Sequence, residues 1–281
     1  DQNALSADDL AIVGDRPVYD LTVTNGDTQV SDFGGGYAMV SIPYTLLPGE
    51  DPDSVVIYYL ADDGSLQAIR GCYDVASKAV IFKTAHFSQF IIGYNQVTFS
   101  DVLAGAWYKD AVDFIAARGI TSGTSADRFS PDDNLTRGQF IVLLMNAYQL
   151  SPDQYPQYAA LEPFADSGNA YYTQYLLAAK GLGIVNGVGN NMYAPEREIS
   201  RQEMMVMLYN VLAVIDELPA AGSGRQLADY SDGDQVAEWA EAAVTALVGG
   251  EVISGYNGMI NPQASTTRAE IAQVLYNLLA N

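Results

Sequence analysis

The chain has 281 residues, 49% of them apolar, so it can hold two domains with real cores, yet it lacks the roughly 20-residue apolar run of a membrane helix. Acidic residues outnumber basic ones 34 to 13, for a net charge of −21: 13 acidic and 4 basic residues before Val97 (−9), 21 and 9 from there on (−12). Such a surface cannot neutralise nucleic-acid phosphates or settle on an anionic membrane, and a single cysteine (Cys72) and a single histidine (His86) exclude an internal disulfide and a Cys-based zinc site.

No basic and apolar leader opens the sequence, which reads as a piece of a longer protein without a signal peptide. Residues 1–96 read as strands. The segments 18–24, 37–42, 55–60, 79–82 and 90–94 are β-branched and aromatic, and Asn25-Gly26, Gly34–Gly36, Pro48-Gly49 and Asp63-Gly64 punctuate them. About seven short strands with these turns predict an antiparallel β-sandwich, with no helical periodicity before residue 106.

From Val97 onward the chain repeats. Phe99-Ser-Asp101, Phe164-Ala-Asp166 and Leu227-Ala-Asp229 open three units, 97–150, 164–216 and 227–281. Each unit has an aromatic (Trp107, Tyr171, Trp239) 16 residues before a glycine (Gly123, Gly187, Gly255). Each then has an apolar-x-Pro, at Pro131, Pro195 and Pro262, and six residues further an arginine: Arg137, Arg201, Arg268. Apolar spacing gives a helix, a loop and a second helix per unit. Two helices cannot close a core alone, so the three units are expected to pack about an approximate threefold axis. The fold class is thus α+β, a β-sandwich followed by an all-α assembly.

The segments Thr136-Arg-Gly-Gln139, Ser200-Arg-Gln-Glu203 and Thr267-Arg-Ala-Glu270 read as capping boxes at the starts of the second helices. Capping leaves the arginines unexplained, because a cation in the first turn opposes the helix dipole. Two readings stay open: an anion held by free helix N–H groups and the guanidinium together, or an ion pair with the Asp that opens a neighbouring unit. Burial is the default for Trp107, Tyr171 and Trp239, whereas an exposed ring would stack on a sugar. The glycines suit a left-handed turn or close approach of a ligand.

These landmarks resemble the S-layer homology family, over three full repeats from about residue 97 to 281. The resemblance implies a pseudo-threefold helical assembly that binds secondary cell-wall polymers, often through a pyruvylated N-acetylmannosamine whose carboxylate is an anion of the kind the arginines call for. On it, Arg137, Arg201, Arg268, Asp101, Asp166, Asp229, Trp107, Tyr171, Trp239, Gly123, Gly187 and Gly255 become the polysaccharide-binding set, while Thr136, Gln139, Ser200, Glu203, Thr267 and Glu270 cap helices. The implied protein is extracellular, at the cell wall or S-layer. Its partner is a wall polysaccharide, with neighbouring S-layer subunits as a further one, and neither nucleic acid nor membrane insertion, cofactor nor metal is expected. Gly138 and Gln139, Tyr171, and Leu227 with extra residues before Trp239 depart from the family pattern.

Other classes are weaker. An enzyme reading rests on His86-Phe87-Ser88, which resembles the cleavage tripeptide of autoproteolytic β-domains, although Phe87 and Phe90 also suit a core. Asp132-Asp133-Asn134 and Asp232-Gly233-Asp234 offer oxygens without calcium-loop spacing. Lattice or protein–protein assembly is the remaining alternative.

Overall fold

The computed structural model describes residues 5–30, 33, 36–61, 63–220 and 225–280, apart from the Gln29 side chain. The start at Asp1, Gly34 and Gly35 of the expected turn, and residues 221–224 of the second linker lie outside it. Two compact units emerge, one of residues 1–129 with 275–281 and one of residues 130–274. No helix is long and apolar enough to cross a membrane among the described residues.

In the first unit a helix absent from the sequence reading comes first: α1, Ala7–Val13, capped by the Ser6 hydroxyl and ended at Gly14. Nine strands follow among the described residues: β1 Val18–Asp20, β2 Thr24–Asn25, β3 Thr28–Gln29, β4 Ala38–Pro43, β5 Val55–Leu60, β6 Leu66–Ala68, β7 Gly71–Asp74, β8 Ala79–Thr84 and β9 Gln89–Tyr94. They form an antiparallel sheet in the order β1-β9-β5-β6, a second in the order β4-β8-β7, and a β2-β3 hairpin turning at Gly26. The expected strand 18–24 is therefore broken, and its end turns into the hairpin.

The unbroken apolar run of β5 follows from burial on both faces. Val55 and Ile57 share one core with Phe90, Ile92, Ile42, Val80 and Phe82, from both sheets. Val56, Tyr58 and Leu60 share another with Leu5, Val13 and Ile91. A side chain at Gly93 would meet the Tyr58 ring and Ile12 within 2.8 Å, so α1 needs glycine beneath it.

This unit extends past residue 96 because of one side chain. Arg118 ends α2 (Lys109–Ala117), and its guanidinium donates to the carbonyls of Asp53, Val55 and Gly71 at 2.8, 2.9 and 3.1 Å. It also lies 3.4 Å from the Phe114 ring. Burial pulls its pKa down to about 10. The Asn95 amide donates to the Ala117 carbonyl at 2.7 Å, and Phe114 meets Tyr276 edge-on. The first half of the first repeat therefore belongs to the compact unit of the sheets.

Beside Arg118, burial raises the Asp53 carboxyl to about 6, with Asp51 and Asp110 adding to the effect and Tyr276 and Arg118 opposing it. A folded pKa above the unfolded one contributes stability that is complete below about pH 4 and lost as the pH rises through about 6. Discounted for partial exposure, the term is about 1–2 kcal/mol. Asp53→Asn is expected to lower the urea midpoint little at pH 7.5 and more at pH 4.5, where the native carboxyl is protonated. Denaturation at the two pH values checks this.

The second unit contains α3 (Arg137–Ala147), α4 (Thr173–Gly181), α5 (Arg201–Val214), α6 (Glu238–Gly249) and the start of α7 (Arg268–Leu279). The extended residues before α3, α5 and α7 join pairwise, through bridges Thr136–Glu198, Ser200–Ser265 and Asn134–Thr267. Each of the three therefore bonds to both others. Leu135, Ile199 and Thr266, at matching positions, are wholly buried. The Thr266 hydroxyl has no hydrogen-bond partner there. Thr266→Val removes that buried hydroxyl at nearly constant shape and is expected to add about 1 kcal/mol, read as a rise of about 2–4 °C in the thermal midpoint.

Candidate functional site

Each repeat builds the same loop. The aromatic-x-Asp opener sits under a small hairpin, and the glycine at its start has φ of +79° at Gly123, +78° at Gly187 and +69° at Gly255. A Cβ on these glycines would press into the ring of Phe99, Phe164 or Tyr230 at 2.7–2.8 Å, and into a carbonyl across the hairpin. Left-handed backbone and close approach together explain glycine without a ligand.

That geometry corrects the third opener. Tyr230, not Leu227, holds the position of Phe99 and Phe164, and the aspartate of that slot is Asp232 rather than Asp229. Asp101 accepts from the Phe129 N–H at 2.8 Å, and Asp166 accepts from Tyr193 and Ala194 at 2.8 and 2.6 Å. Asp232 accepts from Ile260 and Asn261 at 2.8 and 2.7 Å. Asp229 instead accepts from Gln226 three residues earlier, inside a 3-10 turn. Asp166 and Asp232 thereby hold Ala194 and Asn261 at φ of +57° and +54°, a strained conformation for a residue such as Ala194, and Ser130 has a similar φ of +57°. Asp232→Ala is expected to cost about 2–3 kcal/mol and Asp229→Ala less than about 0.5, a contrast that thermal melts of the two variants resolve.

The capping boxes form in all three repeats. Thr136 and Gln139, and Ser200 and Glu203, bond reciprocally, as do Thr267 and Glu270 at 2.9 and 3.3 Å. The N–H groups ahead of them are not free, contrary to the anion-at-the-helix-start reading. Arg137 and Gly138 donate through their backbone to the Arg197 and Pro195 carbonyls, and Arg201 and Gln202 to those of Ala264 and Pro262. Arg268 and Ala269 donate to Asp133 and Pro131. Every first turn is thus satisfied by the loop of another repeat.

The arginine side chains follow the same direction. Arg137 is 3% exposed; its Nε donates to the Tyr193 carbonyl at 2.9 Å and its Nη1 lies 3.0 Å from Glu203. Its guanidinium also sits 4.5 Å from the centre of the Tyr193 ring. Burial pulls Arg137 below the usual arginine range, with Tyr193 and Glu203 opposing. Glu203 shows the converse: burial pushes it up, but Arg197, the Ser200 N–H and Arg137 hold it below the usual carboxylate range. Arg201 repeats the geometry more loosely, with Nε donating to Ile260 at 2.8 Å and Glu270 3.6 Å away. Arg137 and Arg201 each pair with the capping glutamate of the next repeat rather than with an opening aspartate. Arg268 is also buried.

The aromatics are not buried. Trp107, Tyr171 and Trp239 are 63%, 63% and 59% exposed, each just ahead of or at the start of the repeat's first helix. Trp107 and Tyr171 rest edge-on against the next residue, Tyr108 or Tyr172. Partial burial first, then Glu196, push the Tyr171 phenol above its ordinary value, and Arg268 opposes them. The structure thus brings Tyr171, Tyr172, Glu196 and Arg268 together, of which the sequence reading named only Tyr171 and Arg268. Glu196 directly follows the loop proline and accepts its hydrogen bond from Tyr172, 24 residues away, so spacing within the loop gave no signal for it.

The other candidates stand apart. The His86 ring packs edge-on against Tyr59 and stacks on Phe90, and the His86 carbonyl accepts from the Thr84 hydroxyl at 2.6 Å. The Ser88 carbonyl accepts from Leu21. Asp133 contributes its carbonyl to Arg268 and Asp232 its carboxylate to the backbone, and no group of three potential metal-binding side chains gathers among the described residues.

Three segments, 98–141, 163–205 and 229–272, match the model of the S-layer homology domain. The third begins one residue before Tyr230, as the others begin one residue before Phe99 and Phe164. The chain is 25% identical over 260 residues to an amylopullulanase from Thermoanaerobacterium thermosulfurigenes, a match covering 90% of this chain and 13% of that protein. It is 30% identical over 187 residues to an endoglucanase from Bacillus sp. (strain KSM-635), covering 66% and 19%. To the S-layer protein EA1 of Bacillus anthracis it is 25% identical over 178 residues, covering 63% and 20%. The chain spans a fifth or less of the length of these three relatives. Through three tandem domains that share the same Asp, Gly, Pro and Arg framework, it belongs to the S-layer homology family.

Proposed function

We propose that the repeats attach their parent protein, non-covalently, to a polysaccharide of the bacterial cell wall, and that the protein works outside the cell, at the wall or S-layer. The observation that carries this is the exposure of Trp107, Tyr171 and Trp239 at one matching position in three repeats. An isolated exposed aromatic is ordinary, but three at equivalent sites repeat a surface that a polymer with a recurring sugar can engage. Relatives named as enzymes and relatives named as S-layer proteins share this segment, which makes up only 13–20% of the three described above. A common segment with such different remainders serves attachment rather than either named activity, and no catalytic role is assigned to it.

The finer reading keeps the polymer anionic, with a pyruvyl carboxylate meeting guanidinium groups beside the rings. Arg201 suits that role best, because its side chain keeps 16% exposure and its Glu270 contact is long. The ring of backbone bonds among the three pre-helix segments supports a pseudo-threefold arrangement of the helix pairs. The repeats are read at 97–150, 164–216 and 227–281, the first half of the first one sharing the compact unit of the sheets and the last with its opener at Tyr230.

Titration calorimetry with purified wall polymer, native and after chemical removal of pyruvate, tests the proposal. Binding to native polymer, at least about tenfold weaker after depyruvylation, is expected. Undiminished binding after depyruvylation removes the carboxylate from the reading. Binding to neither polymer defeats wall attachment and leaves lattice assembly as the function.

A further inference from the structure

The exposed aromatics do not have the same neighbours. In the second repeat Tyr172 is buried, and its hydroxyl donates a 2.5 Å hydrogen bond to the exposed Glu196 carboxylate. That bond, then burial, raises the Tyr172 phenol to about 12, so it stays a donor across the physiological range. Glu196 is exposed, and the Tyr172 ring that holds it lies edge-on to the Tyr171 ring, 5.2 Å between centres, so the carboxylate stands one ring away from Tyr171. The third repeat has Ala240 and Gln263 at the same two positions, and the Gln263 amide donates to the Gln235 carbonyl at 3.4 Å. The first repeat has Tyr108 and Asp132 there.

A carboxylate anchored beside an exposed ring is well suited to a sugar hydroxyl. The ring offers an apolar face to the C–H side of a pyranose, and the carboxylate accepts O–H in a charge-assisted bond. Tyr172 fixes the carboxylate in advance, which reduces the ordering cost of binding. A ligand carboxylate at the same place meets Glu196 as a like charge, which the buried Arg268 offsets only in part.

We infer that the Tyr171 site takes a neutral, hydroxyl-bearing sugar ring, with Glu196 as its specificity-determining acceptor. This rests on the polysaccharide reading above and narrows it: the repeats read different residues of one polymer, the second a neutral one.

The test compares native and depyruvylated wall polymer on the full chain and on Glu196→Gln, with Tyr172→Phe as a second variant. Glu196→Gln is expected to weaken binding of the native and the depyruvylated polymer alike, by about tenfold, because the neutral sugar it meets is present in both. Tyr172→Phe keeps the charge but loses the anchor, and is expected to weaken the depyruvylated polymer about threefold. Because Glu196 is exposed, its variant should melt at the wild-type temperature. If the unaltered chain binds both polymers and Glu196→Gln leaves both affinities within about threefold, this inference fails alone. If the unaltered chain binds neither, the polysaccharide reading fails and takes the inference with it.

Discussion

Replacing Arg137 by alanine is expected to lower stability by about 3 kcal/mol, a fall of about 6–12 °C in the thermal midpoint. The side chain is buried, donates to the Tyr193 carbonyl, pairs with Glu203 and lies over the Tyr193 ring. Its removal leaves a carbonyl without its donor, a cavity between repeats, and a glutamate whose remaining cation, Arg197, is half exposed. Lysine is not expected to rescue it, because an ammonium cannot reach the carbonyl and the carboxylate with the fixed geometry of a guanidinium. Arg201→Ala is expected to cost markedly less, with a 3.6 Å ion pair and a partly exposed partner. A melt of Arg137→Ala within about 2 °C of wild type defeats the structural role. The contrast matters for function too: lost polymer binding in the Arg137 variant means nothing without a melt beside it, whereas Arg201 can be tested more cleanly.

The combined variant Trp107→Ala, Tyr171→Ala, Trp239→Ala is expected to show the reverse, losing at least about 100-fold in affinity for wall polymer with little change in melting temperature. Each ring is mostly exposed, so its removal empties no core. Each supplies a stacking face, and about 1.4 kcal/mol per site already corresponds to tenfold. Linked sites on one polymer multiply the effect. Binding retained within about threefold by the triple variant removes these rings from recognition.

How much of this was legible in the sequence depends on the range of the interaction. Capping boxes, left-handed glycines and the apolar-x-Pro loop are local, and their residues formed the expected structures at Thr136, Ser200, Thr267, Gly123, Gly187 and Gly255. The seven-residue α1 was missed although Ser6, Asp9 and Gly14 mark its ends, because so short a helix shows barely two turns of periodicity. β6 alternates but is only three residues long, and β7 lacks the alternation of a half-buried strand. Leu227-Ala-Asp229 fits apolar-x-Asp as well as Tyr230-Ser-Asp232 does, and only the ring's packing under Gly255 separates them. The arginine partners lie about 65 residues away, in another repeat, where spacing within one repeat carries no information. Exposure of Trp239 beside the buried Ala240 is likewise a tertiary outcome.

The backbone bonds among the pre-helix segments bear on how the chain reaches its folded state. Repeats that stack in a line contact only their neighbours and can add one at a time. Here Arg268 and Ala269 also return to Asp133 and Pro131, so the last repeat closes on the first. Until that closure the Pro131 and Asp133 carbonyls and the first turn of α7 lack their partners, and the loop to be closed spans nearly half the chain. Such long-range closure slows folding and makes it cooperative, because no intermediate repeat number satisfies all the ends. The anchor is therefore all or nothing: it forms only once the whole set of repeats has been delivered to where it folds.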